Sequence, residues 1–196
     1  MTRVVAGSAR GARLKVPDVG TRPTSDRARE AIFSSVESMR GPWAHAEVLD
    51  LYAGSGACGL EAASRGAARV DLVESDRKAV KVIERNREVV MASGVPAVVE
   101  IHAAKVEHWV RSRSTQNKYD VVFCDPPYTA GAEDVAAVLS ALAATGSLAV
   151  DGLVVLERSA RDAAWQWQQP FDGQWHRRYG EAHLWIAALG SVPRSQ

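Results

Sequence analysis

The sequence predicts an α/β protein whose sheet is mostly parallel and ends in an antiparallel hairpin. From Glu47 onward, short apolar runs rich in β-branched residues alternate with stretches of helical periodicity. This alternation is typical of parallel strands that are connected by helices and covered on both faces. Near the C-terminus, two strand-like runs are separated only by Gly180-Glu181. A two-residue link requires a hairpin, so the last two strands should be antiparallel.

The predicted elements of the main part of the chain follow one another with short connections. The strands are predicted at residues 47–52, 69–74, 98–102, 119–124, 152–157, 174–179 and 182–188. The helices are predicted at residues 58–65, 76–93, 106–113 and 133–145. Ser75 is the expected cap of the second of these helices, because a serine hydroxyl can accept hydrogen bonds from the first helical turn.

Residues 1–40 are predicted to form a basic extension to a main domain at residues 41–196. Two short strands, at 3–6 and 12–16, should surround a glycine-bounded turn, and a helix capped by Thr24 or Ser25 should end at Gly41-Pro42. The extension holds eight basic and four acidic residues, whereas the rest of the chain holds sixteen basic and nineteen acidic residues. This distribution favours a polyanionic partner for the extension.

The remaining composition is that of an ordinary globular protein, with 46% hydrophobic and 24% charged residues. Cys58 and Cys124 lie far apart, and the five histidines do not cluster with them. We therefore predict neither a metal site nor a disulfide framework. The sequence shows no signal peptide and no apolar run near the length of a membrane span. A soluble, cytoplasmic monomer is expected.

The strand at 119–124 ends at a carboxylate, Asp125, which two prolines follow. Proline has no N–H to pair with a neighbouring strand, so the strand stops there and leaves carbonyl acceptors beside the carboxylate. In open α/β sheets, ligands bind at this edge. Tyr128 adds an aromatic ring. An acceptor pocket with a stacking ring suits a planar group that carries an NH₂, such as a nucleobase with an exocyclic amine.

A glycine-rich loop follows the first strand of the main domain. Gly54-Ser55-Gly56-Ala57-Cys58-Gly59 fits the pattern G-x-G-x-x-G of nucleotide-binding loops, and Glu74 at the end of the next strand can accept both hydroxyls of a ribose. Asp50 lies within the strand, four residues before the first glycine. Its negative charge should face the ligand, where it disfavours a pyrophosphate and favours a cation. S-adenosylmethionine, with a sulfonium and no phosphate, therefore fits better than NAD.

Together these motifs resemble class I S-adenosylmethionine-dependent methyltransferases that act on exocyclic amino groups. The resemblance is closest to the ribosomal RNA small subunit methyltransferase D family, which methylates N2 of a guanine in 16S rRNA. It extends over nearly the whole chain. It is carried by residues 3–7, 22–30 (with the specific segment Arg22-Pro-Thr-Ser-Asp-Arg), 50–65, 125–128 and 179–181.

The family resemblance implies a Rossmann-like sheet of seven strands with the last one reversed. It implies S-adenosylmethionine as cofactor, with S-adenosylhomocysteine as product, in a site formed by Asp50, Tyr52, Gly54, Ser55, Gly56, Glu74 and Ser75. It implies a catalytic set of Asp125, Pro126 and Tyr128. Relatives often present Asp or Asn to the adenine at the end of the third strand, where this chain has Ala103, Ala104 and Lys105. Adenine should therefore require a backbone partner.

The expected macromolecular partner is 16S rRNA, within a partly assembled or complete small ribosomal subunit of a bacterium. We assign phosphate contacts to the basic side chains of the extension, namely Arg3, Arg10, Arg13, Lys15, Arg22 and Arg27. A solvated surface hairpin is the alternative for this segment.

Three alternative functions stay open on the sequence. The same pocket could accept an adenine N6 or another amino group of DNA, RNA or a protein. An NAD(P)-dependent oxidoreductase would use the glycine loop but has no use for the Asp-Pro-Pro-Tyr segment. A non-catalytic RNA-binding factor would use the basic extension without transferring a methyl group.

Overall fold

A computed structural model describes residues 1–17, 26–112 and 118–190 of the chain. The strands are β1 (Thr2–Arg3), β2 (Arg13–Leu14), β3 (Glu47–Leu51), β4 (Arg69–Glu74), β5 (Val98–Ala103), β6 (Tyr119–Cys124), β7 (Leu148–Ser159), β8 (Phe171–Tyr179) and β9 (Ala182–Leu189). The helices are α1 (Asp26–Arg40), α2 (Ala57–Arg65), α3 (Arg77–Met91), α4 (Val106–Ser112) and α5 (Ala132–Ala144). No helix in the described ranges is both long and apolar enough to span a membrane.

Seven strands form the main sheet in the order β5-β4-β3-β6-β7-β9-β8. β9 is antiparallel to both of its neighbours, and the pairs between β5 and β7 are parallel. The predicted reversal of the last strand and the two-residue hairpin, with Tyr179 paired to Ala182, are confirmed. The fold is the predicted Rossmann-like α/β fold with a small N-terminal hairpin.

The sheet separates two hydrophobic cores. One core contains Phe33 of α1, Leu60 of α2 and Ile83 of α3, packed on side chains such as Val121. The other contains Trp109 of α4 and Leu139 of α5, packed on the alternate residues of the same strands. Because successive strand residues point to opposite faces, strands covered on both sides are apolar throughout, which explains the continuous apolar runs of the sequence.

The order of the strands places the site. The chain builds β3, β4 and β5 outward from the centre and then returns to place β6 on the other side of β3. β3 and β6 are parallel, with Leu51 paired to Cys124. The loops that follow these two strands therefore leave the sheet side by side, at a switch in strand order where open α/β sheets form their ligand crevice.

The first residues of the predicted extension contact α2 and α3, and its strands are shorter than predicted. The backbone N–H groups of Val5 and Ala6 donate to the carboxylate of Glu61 in α2, at 2.7 and 2.9 Å, instead of to a partner strand. A Cβ at Gly7 would lie 1.8 Å from the carbonyl oxygen of Ser64, so only glycine allows this approach. The predicted caps Thr24 and Ser25 lie outside the described residues.

A candidate cofactor and substrate cleft

A cleft of about 770 Å³ opens at the C-terminal ends of β3, β4 and β6. It brings together members of all three predicted sets of site residues. From the cofactor set, Tyr52, Gly54, Glu74 and Ser75 line it; from the catalytic set, Asp125, Pro126 and Tyr128; and from the RNA-binding set, Lys15. The two loops that were predicted to hold a cofactor and an amine therefore share one space.

Glu74 holds the glycine loop in place. Its Oε2 accepts a hydrogen bond from the Gly54 N–H at 2.9 Å. Its Oε1 accepts from the N–H groups of Ser75 and Asp76, at 2.7 and 2.8 Å. Tyr52 has a φ of 59°, in the left-handed region, so the chain turns sharply as soon as β3 ends. The carboxylate is thus fixed at the floor of the cleft.

Asp50 lies beneath the glycine loop and not on the cleft wall. Its side chain is buried, and Oδ2 accepts a hydrogen bond from the Gly59 N–H, in the first turn of α2, at 2.8 Å. Burial, with a further contribution from the charge of Glu74, raises the pKa of Asp50 to about 7. The expectation that this charge faces the ligand is therefore corrected: the carboxylate serves the start of α2.

The N–H groups of the glycine loop point to protein acceptors. Gly54 donates to Glu74, Gly59 donates to Asp50, and Gly56 donates to the Ala53 carbonyl at 2.6 Å. Two of these three acceptors are carboxylates. A diphosphate bound here would meet the Glu74 carboxylate on the cleft lining, whereas dinucleotide-binding loops offer N–H groups. The loop therefore favours a ligand that carries positive charge.

Ser55 and Gly56, also predicted to bind the cofactor, do not contribute to the cleft lining. The Ser55 carbonyl instead accepts a hydrogen bond from the Asn86 side chain of α3 at 2.9 Å.

Ser75 lines the cleft but does not cap α3. The cap is Asp76, whose carboxylate accepts from the N–H groups of Lys78 and Ala79. The predicted cap was wrong by one residue, because α3 begins at Arg77 and its first turn donates to the Asp76 side chain.

Asp125 lies directly after β6, facing the cleft. The residue is exposed at the cleft. Desolvation of its carboxyl group by the protein atoms around it, followed by the charges of Glu157 and Asp50, raises the pKa of Asp125 well above the usual range, and Arg158 opposes the shift. Tyr128 is 64% exposed and lines the cleft.

Arg158 of β7 fixes the loop after Asp125. Both terminal nitrogens of its guanidinium donate to the Ala130 carbonyl at 3.1 Å. The Ala130 N–H in turn donates to the Pro127 carbonyl at 2.8 Å. We call Asp125, Pro126 and Pro127 the acceptor corner. Its backbone is held by the neighbouring strand β7 as well as by its two prolines.

The predicted RNA-binding residues spread over the surface of the extension. Arg10, Arg13, Lys15 and Arg27 are exposed. Arg3 is also exposed and pairs with Asp26 at 3.0 Å. Arg22 lies outside the described residues. Lys15 is the member of this set that reaches the cleft.

At the end of β5, the backbone N–H of Ala104 already has acceptors within the protein. This N–H donates to the carbonyls of Glu74 and His102, at 3.0 Å each.

Within the described residues, one group of three could place ligand atoms around a metal ion: Asp71, Glu100 and His102. Arg69 lies 3.1 Å from Asp71 and 2.9 Å from Glu100. An arginine between the carboxylates makes this group an ion-pair network.

Several cleft residues were missed on the sequence. Lys78, Val82 and Arg85 of α3 line the cleft, as does Pro17 of the extension. The three helical residues are spaced by four and three positions, so they share one face of α3. This spacing, directly after Glu74, was the signal that could have identified them.

Comparison of the sequence with known proteins identifies its family. The family described as "Conserved hypothetical protein 95" matches residues 2–188. The chain belongs to this family. It is 36% identical over 156 residues to ribosomal RNA small subunit methyltransferase D of Escherichia coli, covering 79% of this chain and 73% of that protein. It is 34% identical over 157 residues to the putative rRNA methyltransferase YlbH of Bacillus subtilis, covering 79% and 81%.

The solved structure of a putative methyltransferase, yhhF of Escherichia coli, superimposes on the present chain with a TM-score of 0.81 at 28% identity. The superposition covers 97% of the present chain and 98% of yhhF. More distant structures with the same fold include S-adenosylmethionine-dependent methyltransferases. The predicted family resemblance is confirmed. The protein is a methyltransferase.

Proposed function

We propose that this protein transfers a methyl group from S-adenosylmethionine to the exocyclic N2 amine of a guanine in 16S rRNA. The observation that carries the proposal is the shared cleft: Glu74 and the glycine loop lie at one end, and Asp125 with Tyr128 lies at the other. Relatives named as rRNA methyltransferases support RNA as the substrate class. We further propose that it acts as a cytoplasmic monomer on the small ribosomal subunit.

The residues fit S-adenosylmethionine. Glu74 presents a carboxylate at the cleft floor, where it can accept hydrogen bonds from ribose hydroxyls. The glycine loop, with its N–H groups turned toward carboxylates, favours a cationic ligand. Tyr52 and Ser75 complete the lining on this side. When bound, the cofactor supplies an electrophilic methyl group.

The acceptor corner addresses the difficulty of guanine as a nucleophile. The lone pair of its N2 amine is delocalised into the ring. Asp125 and the Pro126 carbonyl accept hydrogen bonds from the two N–H groups, which favours a pyramidal nitrogen whose lone pair points away from both acceptors. Tyr128 stacks on the base and fixes the plane of the ring. The base must be unpaired or flipped to enter.

Asp125 also stabilises the charge that develops on nitrogen as the new N–C bond forms. A carboxylate bordered by protein atoms interacts with this charge more strongly than one surrounded by water. When the nitrogen loses a proton, the Asp125 oxygen that accepted its hydrogen bond receives it and passes it to solvent through the open side of the cleft. The raised pKa of Asp125 favours this acceptance.

The deciding experiment is methyl transfer with a radiolabelled donor to bare 16S rRNA and to 30S particles, both from a strain that lacks this protein. We expect label in the RNA and N2-methylguanosine after digestion and mass analysis. Label in an N6-methyladenosine would replace the proposed substrate by the adenine alternative. Absence of transfer to either substrate, with S-adenosylhomocysteine still bound in calorimetry, would overturn the RNA proposal.

A further inference from the structure

Three cationic side chains line one wall of the cleft, and two of them belong to α3. Lys78 and Arg85 are exposed, lie seven positions apart on one helical face, and border the cleft together with Val82. Lys15, which directly follows β2, lines the cleft beside them and is also exposed. We call Lys15, Lys78 and Arg85 the cationic wall.

Asn86 holds the two halves of the cationic wall together. Its side chain is 1% exposed. Its Oδ1 accepts from the Lys15 N–H at 2.8 Å, and its Nδ2 donates to the Lys15 carbonyl at 2.8 Å. Nδ2 also donates to the Ser55 carbonyl of the glycine loop at 2.9 Å. A buried amide with three satisfied hydrogen bonds thus fixes Lys15 against α3 and against the cofactor loop.

The cleft lining carries charges of both signs. Glu74, Asp76 and Asp125 supply carboxylates at its lining, whereas the cationic wall supplies three positive groups. A sulfonium ligand belongs at the carboxylates and gains nothing from lysine and arginine. A phosphate group has the opposite preference, and arginine and lysine are its usual partners.

We propose that the cationic wall binds the RNA backbone next to the flipped nucleotide while its base occupies the corner at Asp125. This inference rests on the proposed RNA substrate and extends it: the basic surface of the extension continues into the cleft through Lys78 and Arg85 of α3. A nucleotide whose base stacks on Tyr128 then has its flanking phosphate on the facing wall. The cationic wall does not discriminate between RNA sequences, because phosphate contacts fix the position of the RNA and do not distinguish its bases.

The test compares two double variants of α3 with the same change in charge. Lys78→Ala/Arg85→Ala removes the α3 part of the wall. Arg77→Ala/Lys81→Ala removes two exposed basic residues of the same helix that do not line the cleft. For each protein, the affinity for unmodified 16S rRNA transcribed in vitro is measured by filter binding across a salt series, and S-adenosylhomocysteine affinity is measured by calorimetry.

We expect the first variant to bind this RNA roughly tenfold more weakly at low salt, with the slope of log K against log salt reduced by about 1.4, because each single-strand phosphate contact contributes about 0.7. The control variant should change the slope by much less, and both should keep S-adenosylhomocysteine affinity. Lys78→Arg/Arg85→Lys, which keeps the charges, should retain the wild-type slope.

Equal slopes for the two Ala variants would overturn the proposal in favour of a general charge effect. Weaker S-adenosylhomocysteine binding with unchanged RNA binding would also overturn it. Lys78 and Arg85 would then bind the carboxylate of the cofactor's amino-acid part. Methyl transfer by the wild-type protein is scored separately: its absence counts against the proposed function, while the salt slopes still decide whether the wall binds RNA.

Discussion

The carboxylate of Glu74 accepts a hydrogen bond from the backbone N–H of Gly54, twenty residues earlier in the chain, at 2.9 Å. This contact joins the end of β4 to the loop after β3 and leaves the same carboxylate on the cleft lining. One side chain therefore both shapes the cofactor loop and offers itself to the cofactor.

Glu74→Gln should weaken cofactor binding. The amide keeps the size of the side chain but loses the charge, and hydrogen bonds to charged groups are worth about 1.5–3 kcal/mol. The dissociation constant of S-adenosylhomocysteine should rise by about 10- to 150-fold in calorimetry. Glu84→Gln, an exposed change on α3 outside the cleft lining, is the control and should bind normally. Equal affinities for the two variants would remove Glu74 from the cofactor site.

Asp125→Asn should abolish most of the methyl transfer while sparing the cofactor. Loss of the charge that stabilises the reacting nitrogen should lower the single-turnover rate by about 100-fold or more. Because the pKa of Asp125 is raised and its ionised form is the active one, the wild-type rate should rise with pH through that pKa. The residual rate of the variant should not show this fall at low pH. A variant with wild-type rate would exclude Asp125 from the chemistry.

Tyr128→Ala should raise the KM for RNA, with little change in cofactor affinity. Stacking of a base on an aromatic ring is worth about 1–3 kcal/mol, which corresponds to about 5- to 150-fold in KM. Tyr128→Phe keeps the ring and should stay close to wild type. If the phenylalanine variant were as impaired as the alanine variant, the hydroxyl and not the ring would be the important group.

Asp71→Asn should destabilise the fold in a pH-dependent manner. Burial acts to raise the pKa of Asp71, but hydrogen bonds from His102, Arg69 and Tyr119 outweigh it and lower the pKa from 3.8 to about 2. The stabilisation, about 2 kcal/mol, is complete above pH 4 and is lost as the pH falls through 2. Urea unfolding at pH 7 and pH 3 should show the larger difference from wild type at pH 7.

The half-exposed Glu100 provides the comparison for Asp71. Glu100→Gln removes a partner of Arg69 that lies largely in solvent, and it should cost less than about 1 kcal/mol. A loss for Asp71→Asn no larger than that for Glu100→Gln would contradict the assignment of a buried stabilising network.

Glu61→Gln should be among the most destabilising single changes outside the apolar cores. Glu61 is fully buried and accepts from two backbone N–H groups and from Arg65, and it lies 3.7 Å from the buried Arg29. Removing one charge of a buried pair costs about 3–5 kcal/mol. Thermal unfolding should show a large drop in Tm, whereas Glu30→Gln, which removes an exposed partner of Arg65, should shift it little.

The elements of the main domain were predictable because their signals are local. A strand covered on both faces is a continuous apolar run, and the four predicted strands from residue 47 to residue 124 match β3–β6 to within one residue. β7 was predicted too short. It begins at Leu148, and the ladder shifts register between Tyr119 and Val121 while Asp151 adopts a φ of 61°. Asp151 and Gly152 interrupt the apolar run at this irregular start, so the pattern of a continuous buried strand begins only after them.

The parts that escaped prediction depend on contacts between distant residues. The strands of the extension stop early because Glu61, more than fifty positions away, takes the N–H groups of Val5 and Ala6. Asn86 looks like any polar residue of an amphipathic helix, yet it pairs with Lys15, 71 positions away. Periodicity and motif spacing contain no information about such pairs.

The close contact of Gly7 with Ser64, and of Val5 and Ala6 with Glu61, has a practical consequence for the first residues of the chain. Deleting them to probe RNA binding would strip a buried glutamate and a buried arginine of partners, so a loss of function would report damage to the whole protein. Charge reversal at exposed side chains such as Arg10 and Arg13 avoids this confusion. The route of the backbone over α2 is set by the buried contacts of Glu61 and Ser64 and does not depend on those side chains.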